Sequence, residues 1–185
     1  AALMADYPAC EIGAYYAIMR SAAIWDDLER IGVPGITGGF SDVENLTGGS
    51  DDDTFAFSDG AVISGSLAGG SGSDWIDFSD SSSGIVFDLD LLDTPQSVFA
   101  ASELTISESI ENLVGSAFDD EIRARLLSVS RTIDGGDHDS GDELVVDADQ
   151  ADIDVFAPTV TATGYGTISY ANIETIRIEN SGSVA

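Results

Sequence analysis

Residues 69–77 read Gly-Gly-Ser-Gly-Ser-Asp-Trp-Ile-Asp, which sets a carboxylate into a glycine-rich turn. Glycine admits positive φ, so such a turn can tighten until its carbonyls point inward, and Asp74 adds a carboxylate to them. The large apolar Ile76, two places on, starts a short strand. Carbonyl and carboxylate oxygens gathered in one turn are hard ligands of the kind that suit Ca²⁺. A looser copy, Gly-Gly-Ser-Asp-Asp-Asp-Thr-Phe-Ala, begins at Gly48 and puts Asp53 in the place of Asp74, 21 residues earlier. Asp74 is the first candidate cation ligand and Asp53 the second.

Other chemistry-bearing residues are weaker candidates. Asp137, His138, Asp139 and Asp142 make a third oxygen-rich turn. His138 is the only histidine, and a lone loop histidine is more often a polar surface group than a ligand, so zinc is not expected. Glu44, Glu111 and Glu174 recur at matched places, as do Asn45 and Asn112. A group that returns in every unit marks a structural ladder or a turn bond, because catalytic groups seldom repeat in this way. Asp119 and Asp120 resemble a glycosidase acid–base pair only on paper, since neighbours on a strand face opposite ways. There is no Ser-His-Asp set in a nucleophile elbow, no G-x-x-x-x-G-K and no H-E-x-x-H. Without lysine, an electrophilic pocket for an acidic sugar is hard to assemble. The expectation is therefore not an enzyme. Thr159, Thr161 and Thr163 share a strand face, which reflects β-propensity; one such strand is too few for ice binding.

The elements that must hold these turns fall into two regions. From Pro8 to Ile31 the residues favour helix, with Ile12, Tyr15, Tyr16 and Met19 on one stripe and Ile24, Leu28 and Ile31 on another. Asp6 and Pro8 suit its start, and Gly32 with Pro34 its stop. Residues 1–34 are thus expected to be a helical cap or the end of a preceding domain. From Gly35 onward, short alternating apolar runs are separated by Gly, Ser and Asp, which is a strand-and-turn signature. This region is duplicated: Val43-Glu-Asn-Leu-Thr-Gly-Gly returns as Ile110-Glu-Asn-Leu-Val-Gly-Ser, 67 residues later. Leu67-Ala-Gly-Gly matches Ile133-Asp-Gly-Gly, and Ile85-Val-Phe-Asp-Leu matches Ile153-Asp-Val-Phe-Ala. Units at about 36–103 and 104–167, with a partial third at 168–185, follow.

Asp53 to Asp74 spans 21 residues and Asp120 to Asp142 spans 22, so each unit reads as three coils of about 22 residues. The fold class expected for 35–185 is a mostly-β parallel β-solenoid, a right-handed β-helix, with Phe55 aligned on Ile76 and Ile122 on Leu144. A sandwich of hairpins is the alternative, and its tight-turn signals are scarce.

Composition bounds the rest. The 185 residues carry 34 acidic against 6 basic groups, a net charge of −28, so self-repulsion must be offset by salt or bound cations. The 43% apolar content excludes general disorder. Nucleic acid is excluded as a partner because the Lys and Arg clusters that phosphate binding needs are missing. Cys10, the only cysteine, cannot form an internal disulfide, and no apolar run reaches the ~18 residues of a membrane span. The chain starts at Ala1 with no basic leader, as expected of a processed protein or a fragment.

The nonapeptide at Gly69 resembles the RTX, or hemolysin-type, calcium-binding repeats of secreted bacterial proteins. That resemblance implicates Gly69, Ser71 and Asp74, and then Gly48, Ser50 and Asp53, as metal ligands with Ca²⁺ as cofactor. The tandem order of that family is absent here, because about a dozen residues separate the copies. The wider pattern from Gly35 to Ala185 resembles β-strand-repeat regions of large bacterial surface proteins and adhesins. It implies a secreted or cell-surface structural module, with neighbouring domains, other copies, or carbohydrate and cell surfaces as partners. The alternatives are a secretion or substrate-binding domain of an extracellular enzyme, and then a β-helix polysaccharide lyase or hydrolase.

Overall fold

In the strand runs every second residue is apolar, and a period of two turns those side chains to one face. The structure is a computed structural model that describes residues 45–58, 63, 65–99, 102–148 and 152–179. The expected cap at 1–34, with Cys10, and Glu44 lie outside the described residues. Within them are fifteen strands: β1 (Leu46–Thr47), β2 (Thr54–Ser58), β3 (Ser66–Ala68), β4 (Trp75–Asp80), β5 (Val86–Asp88), β6 (Gln96–Phe99), β7 (Ser102–Ile106), β8 (Asn112–Val114), β9 (Glu121–Arg125), β10 (Arg131–Asp134), β11 (Glu143–Asp147), β12 (Ile153–Phe156), β13 (Thr159–Ala162), β14 (Ile168–Ala171) and β15 (Thr175–Glu179). The protein is mostly β, with no helix among the described residues.

Three sheets result: β1-β3-β7-β6, then β12-β13-β14-β10-β8-β4-β2, then β15-β11-β9-β5. Every pairing is parallel except β6–β7, β12–β13 and β13–β14. A sandwich of hairpins would have required the opposite balance. The registers run through one interior. Leu46 faces Leu67 and Leu67 faces Ile106 on the first sheet. Phe55, Ile76, Leu113 and Ile133 stack on the second, and Phe87, Ile122 and Leu144 on the third. All of these side chains are buried. Both interior alignments expected from spacing, Phe55 on Ile76 and Ile122 on Leu144, are present. Phe78 joins the sheets, with its ring 5.7 Å from Phe57 and 5.2 Å, edge-on, from Phe87.

The duplication is visible in the topology. The sheet β1-β3-β7-β6 recurs as β8-β10-β14-β13, and the run β2-β4-β8 recurs as β9-β11-β15, so each pairing returns seven strands later. The copy does not stay on its own sheet: β1 and β8 occupy different sheets, as do β2 and β9. This corrects the expected spacing. Along the column of Phe55, Ile76, Leu113, Ile133 and Tyr170 the steps are 21, 37, 20 and 37 residues, not a uniform 22. The long steps contain antiparallel excursions, β6 folding back onto β7 and β13 pairing with β14. Extra chain leaves the stack there and returns to it. No helix among the described residues is long and apolar enough to cross a membrane.

Candidate metal centre

An acid immediately precedes each strand of two parallel runs: Asp53, Asp74 and Glu111 before β2, β4 and β8, and Asp120, Asp142 and Glu174 before β9, β11 and β15. Parallel register places each set one above another. Backbone N–H groups at the strand starts then point at the carboxylate of the next rung. The N–H of Asp53 donates to Asp74 Oδ1 (2.9 Å) and that of Asp74 to Glu111 Oε2 (3.0 Å). In the second column Asp120 donates to Asp142 Oδ1 (2.7 Å) and Asp142 to Glu174 Oε2 (2.8 Å). Glu111 and Glu174 are therefore ladder residues, as their recurrence implied. The asparagines behave likewise: Asn45 Oδ1 accepts the Ser66 N–H (2.9 Å) and Asn112 Oδ1 the Thr132 N–H (2.8 Å).

The remaining carboxylate oxygens separate the members of each column. Asp53 Oδ2 accepts the N–H of Gly49 in its own turn. Asp120 accepts from the Ser116 N–H (2.7 Å), the Ser116 hydroxyl (2.8 Å) and the Ile85 N–H (2.7 Å). The middle acids are different. Asp74 Oδ2 and Asp142 Oδ2 are buried and have no hydrogen-bond partner. Both side chains are 0% exposed, so each orphaned oxygen bears a desolvation cost with no donor to offset it. Burial raises the Asp74 carboxyl above the usual carboxylate range, and the charges of Glu111, Asp53 and Asp52 add to the rise. Burial, aided by Asp120 and Glu174, pushes Asp142 up to about 6. Burial raises Asp120 as well. These are the places where a cation would remove most electrostatic cost.

Glycine lets the backbone pack close against both orphaned oxygens. A Cβ on Gly69 would sit 2.5 Å from Asp74 Oδ2 and 2.6 Å from the carbonyl oxygen of Ser109. A Cβ on Gly135 would lie 2.5 Å from Asp142 Oδ2 and collide with the carbonyl of Asn172. In each unit a carboxylate oxygen and a main-chain carbonyl thus face one glycine floor. At Gly69 both are hard oxygens of the kind Ca²⁺ takes, two of the about six to eight that fill its shell. The turns also take the backbone the glycines allow, with φ of +98° at Gly70 and +136° at Gly72, and +91° and +136° at Gly136 and Gly141.

Of the six residues read as calcium ligands, Gly48, Gly69, Asp53 and Asp74 come together in the stack. Ser50 and Ser71 do not. They stay exposed at the turn tips, with the Ser71 N–H donating to the Gly49 carbonyl (3.1 Å). The carbonyl of Ser109, which no sequence motif marks, joins the stack beside Gly69.

Two further arrangements were illegible in the sequence. His138 Nδ1 lies 3.5 Å from Glu174 Oε2 and 3.9 Å from Asp142 Oδ2, so the lone loop histidine overhangs the second column. Arg131 is buried and forms a bidentate pair with Asp90, Nη1–Oδ2 2.7 Å and Nη2–Oδ1 3.2 Å, while also donating to the carbonyls of Arg125 and Ile110. Its scarcity was the available signal: only six basic side chains serve the whole chain. Asp119 sits at an exposed turn, where its Oδ1 accepts the N–H groups of Asp139, Ser140 and Gly141 at 3.0, 2.6 and 3.0 Å. These donors hold its carboxyl down at about 2, with Ser140 and Gly141 contributing most. Asp119 and the buried Asp120 thus have separate structural tasks. The chain matches no family model, no curated protein and no solved structure.

Proposed function

We propose that the chain is a calcium-supported structural or adhesive module of a secreted or surface-exposed bacterial protein, built as a right-handed parallel β-solenoid. The observation that carries the reading is the orphaned Oδ2 of Asp74, buried on a glycine floor beside the Ser109 carbonyl. A buried carboxylate oxygen without a donor is stabilised by a cation, and one that shares its opening with a carbonyl favours a hard one. Asp74 and Ser109 would hold the ion, with Glu111 and Asp53 supplying negative potential from the adjacent rungs. Supporting the scaffold role, the repeated acids and asparagines serve as hydrogen-bonded rungs between parallel strands. The net charge of −28 supports it too, since a chain so acidic gains compactness from bound cations.

The test is thermal unfolding of chelator-treated protein with and without Ca²⁺. Mass action gives about 2.7 kcal/mol of added stability when free Ca²⁺ is 100-fold above its dissociation constant. Asp74→Asn keeps the size and the Oδ1 acceptor but removes the charge, so most of the shift should vanish. A melt indifferent to Ca²⁺ would reject the calcium reading, and an undiminished shift in Asp74→Asn would move the ion elsewhere.

A further inference from the structure

The turn between β10 and β11 carries the one histidine, and its position changes the chemistry of the second column. We propose that His138, Asp142 and Glu174 form a site for a divalent transition metal, Zn²⁺ being the ion that suits the donors best. One ligand atom from each residue lies within 4.8 Å of the other two. Nδ1 of His138 is 3.5 Å from Glu174 Oε2 and 3.9 Å from Asp142 Oδ2. Zinc bonds of about 2.1 Å at tetrahedral angles hold ligand atoms about 3.4 Å apart, so only small movements close the site.

The independent sign of a ligand is Asp142 Oδ2 itself, an oxygen of a wholly buried side chain with no hydrogen-bond partner, on the His138 side of the column. Both carboxylates are aimed by backbone donors: Asp142 Oδ1 accepts the Asp120 N–H at 2.7 Å and Glu174 Oε2 the Asp142 N–H at 2.8 Å. Such outer bonds fix ligand orientation in metal sites. An imidazole with two carboxylates is a donor set for Zn²⁺ and related first-row ions, whereas the oxygen-only opening at Gly69 is not. Three protein ligands leave a fourth position, and the partly exposed His138 and Glu174 leave it open to water.

The site stands apart from the calcium reading, because it uses different residues and a different ion. The experiment is calorimetric titration of Zn²⁺ into chelator-treated protein carrying Cys10→Ser, so that no thiol competes. One equivalent should bind and raise the melting temperature. His138→Ala and Glu174→Gln should each weaken Zn²⁺ binding by about 100-fold or more, judged against the 10–100-fold that loss of an outer-shell partner costs. Neither variant should alter a Ca²⁺ response that depends on Asp74. Absence of Zn²⁺ binding in the parent protein would leave His138 as an ordinary ion-pair partner and overturn the proposal. Binding that survives either substitution at full affinity would overturn the three-residue site.

Discussion

Replacing Gly69 by alanine tests the acidic column at its closest point. The added methyl would lie 2.5 Å from Asp74 Oδ2 and 2.6 Å from the Ser109 carbonyl oxygen. An ordinary contact needs about 3.4 Å, so both oxygens must retreat by roughly 0.8 Å at once. Neither is free to do so. Asp74 is tied through Oδ1 to the Asp53 N–H, and Ser109 lies two residues before Glu111, which accepts the Asp74 N–H. Relief therefore requires opening a parallel ladder whose strands sit about 4.8 Å apart. Overpacking of this kind costs about 1–3 kcal/mol, and two immobile neighbours put Gly69→Ala at the upper end.

A loss of about 3 kcal/mol corresponds to a melting temperature lower by about 6–12 °C for a chain of this size. Gly49 provides the control. It belongs to the other Gly-Gly pair, lacks a positive φ, and its Cβ would meet only Asp53 Oδ2 at an ordinary 3.6 Å. Gly49→Ala should be neutral, or stabilising by about 0.4–1 kcal/mol through the unfolded chain. Both variants are measured by thermal and urea denaturation in chelator, so that packing alone is read. Equal effects of the two substitutions, or a Gly69→Ala loss below about 0.5 kcal/mol, would refute the close stacking of Gly69, Asp74 and Ser109.

Three other outcomes follow from the same contacts. Asp119 has a folded-state carboxyl held down at about 2, so its stabilising effect is present above the ordinary value of 3.8 and is lost as pH falls through about 2; Asp119→Asn should remove that acid-side segment from a pH series of melts. Arg131→Met strands Asp90 in a largely buried place and should cost about 3–5 kcal/mol in urea denaturation, with the double variant Arg131→Met/Asp90→Leu recovering most of it. Phe78→Ala removes the ring that contacts both Phe57 and Phe87 and should cost about 3–5 kcal/mol; a loss under 1 kcal/mol would deny that these rings bridge two sheets.

What the sequence disclosed is what repeats locally. Phe55, Ile76, Ile122 and Leu144 follow their turn aspartates at a fixed distance of two residues, so pairing the turns paired the strands as well. Glu111 and Asn112 could be assigned to rungs because a bond made in one unit must be made again in the next. Other contacts depend on how much chain lies between rungs. The steps of 37 residues hold antiparallel excursions of no fixed period, so nothing in the spacing announced that Ile76 would face Leu113. His138 meets Glu174, and Arg131 meets Asp90, across similar gaps. A buried arginine also runs against the tendency of charged residues to stay outside, and only the arrival of a carboxylate from the turn after β5 makes it tolerable.

The sheet change between units bears on the acids directly. A duplication that returned to its own sheet would stack Asp53, Asp74, Glu111, Asp120, Asp142 and Glu174 along a single row. Unit charges about 5 Å apart repel by about 3 kcal/mol at an effective dielectric constant of 20, so every added rung raises the cost of charging the row. Moving the copy over by one sheet divides the acids into two columns of three. Each has its orphaned oxygen on the middle acid, Asp74 or Asp142, and ends on a glutamate. The columns also become free to differ: the second turn has two more residues between its glycine pair and its aspartate than the turn at Gly69. That added length carries His138 back over Asp142 and Glu174, so two extra residues bring a nitrogen donor to a column that otherwise presents only oxygens.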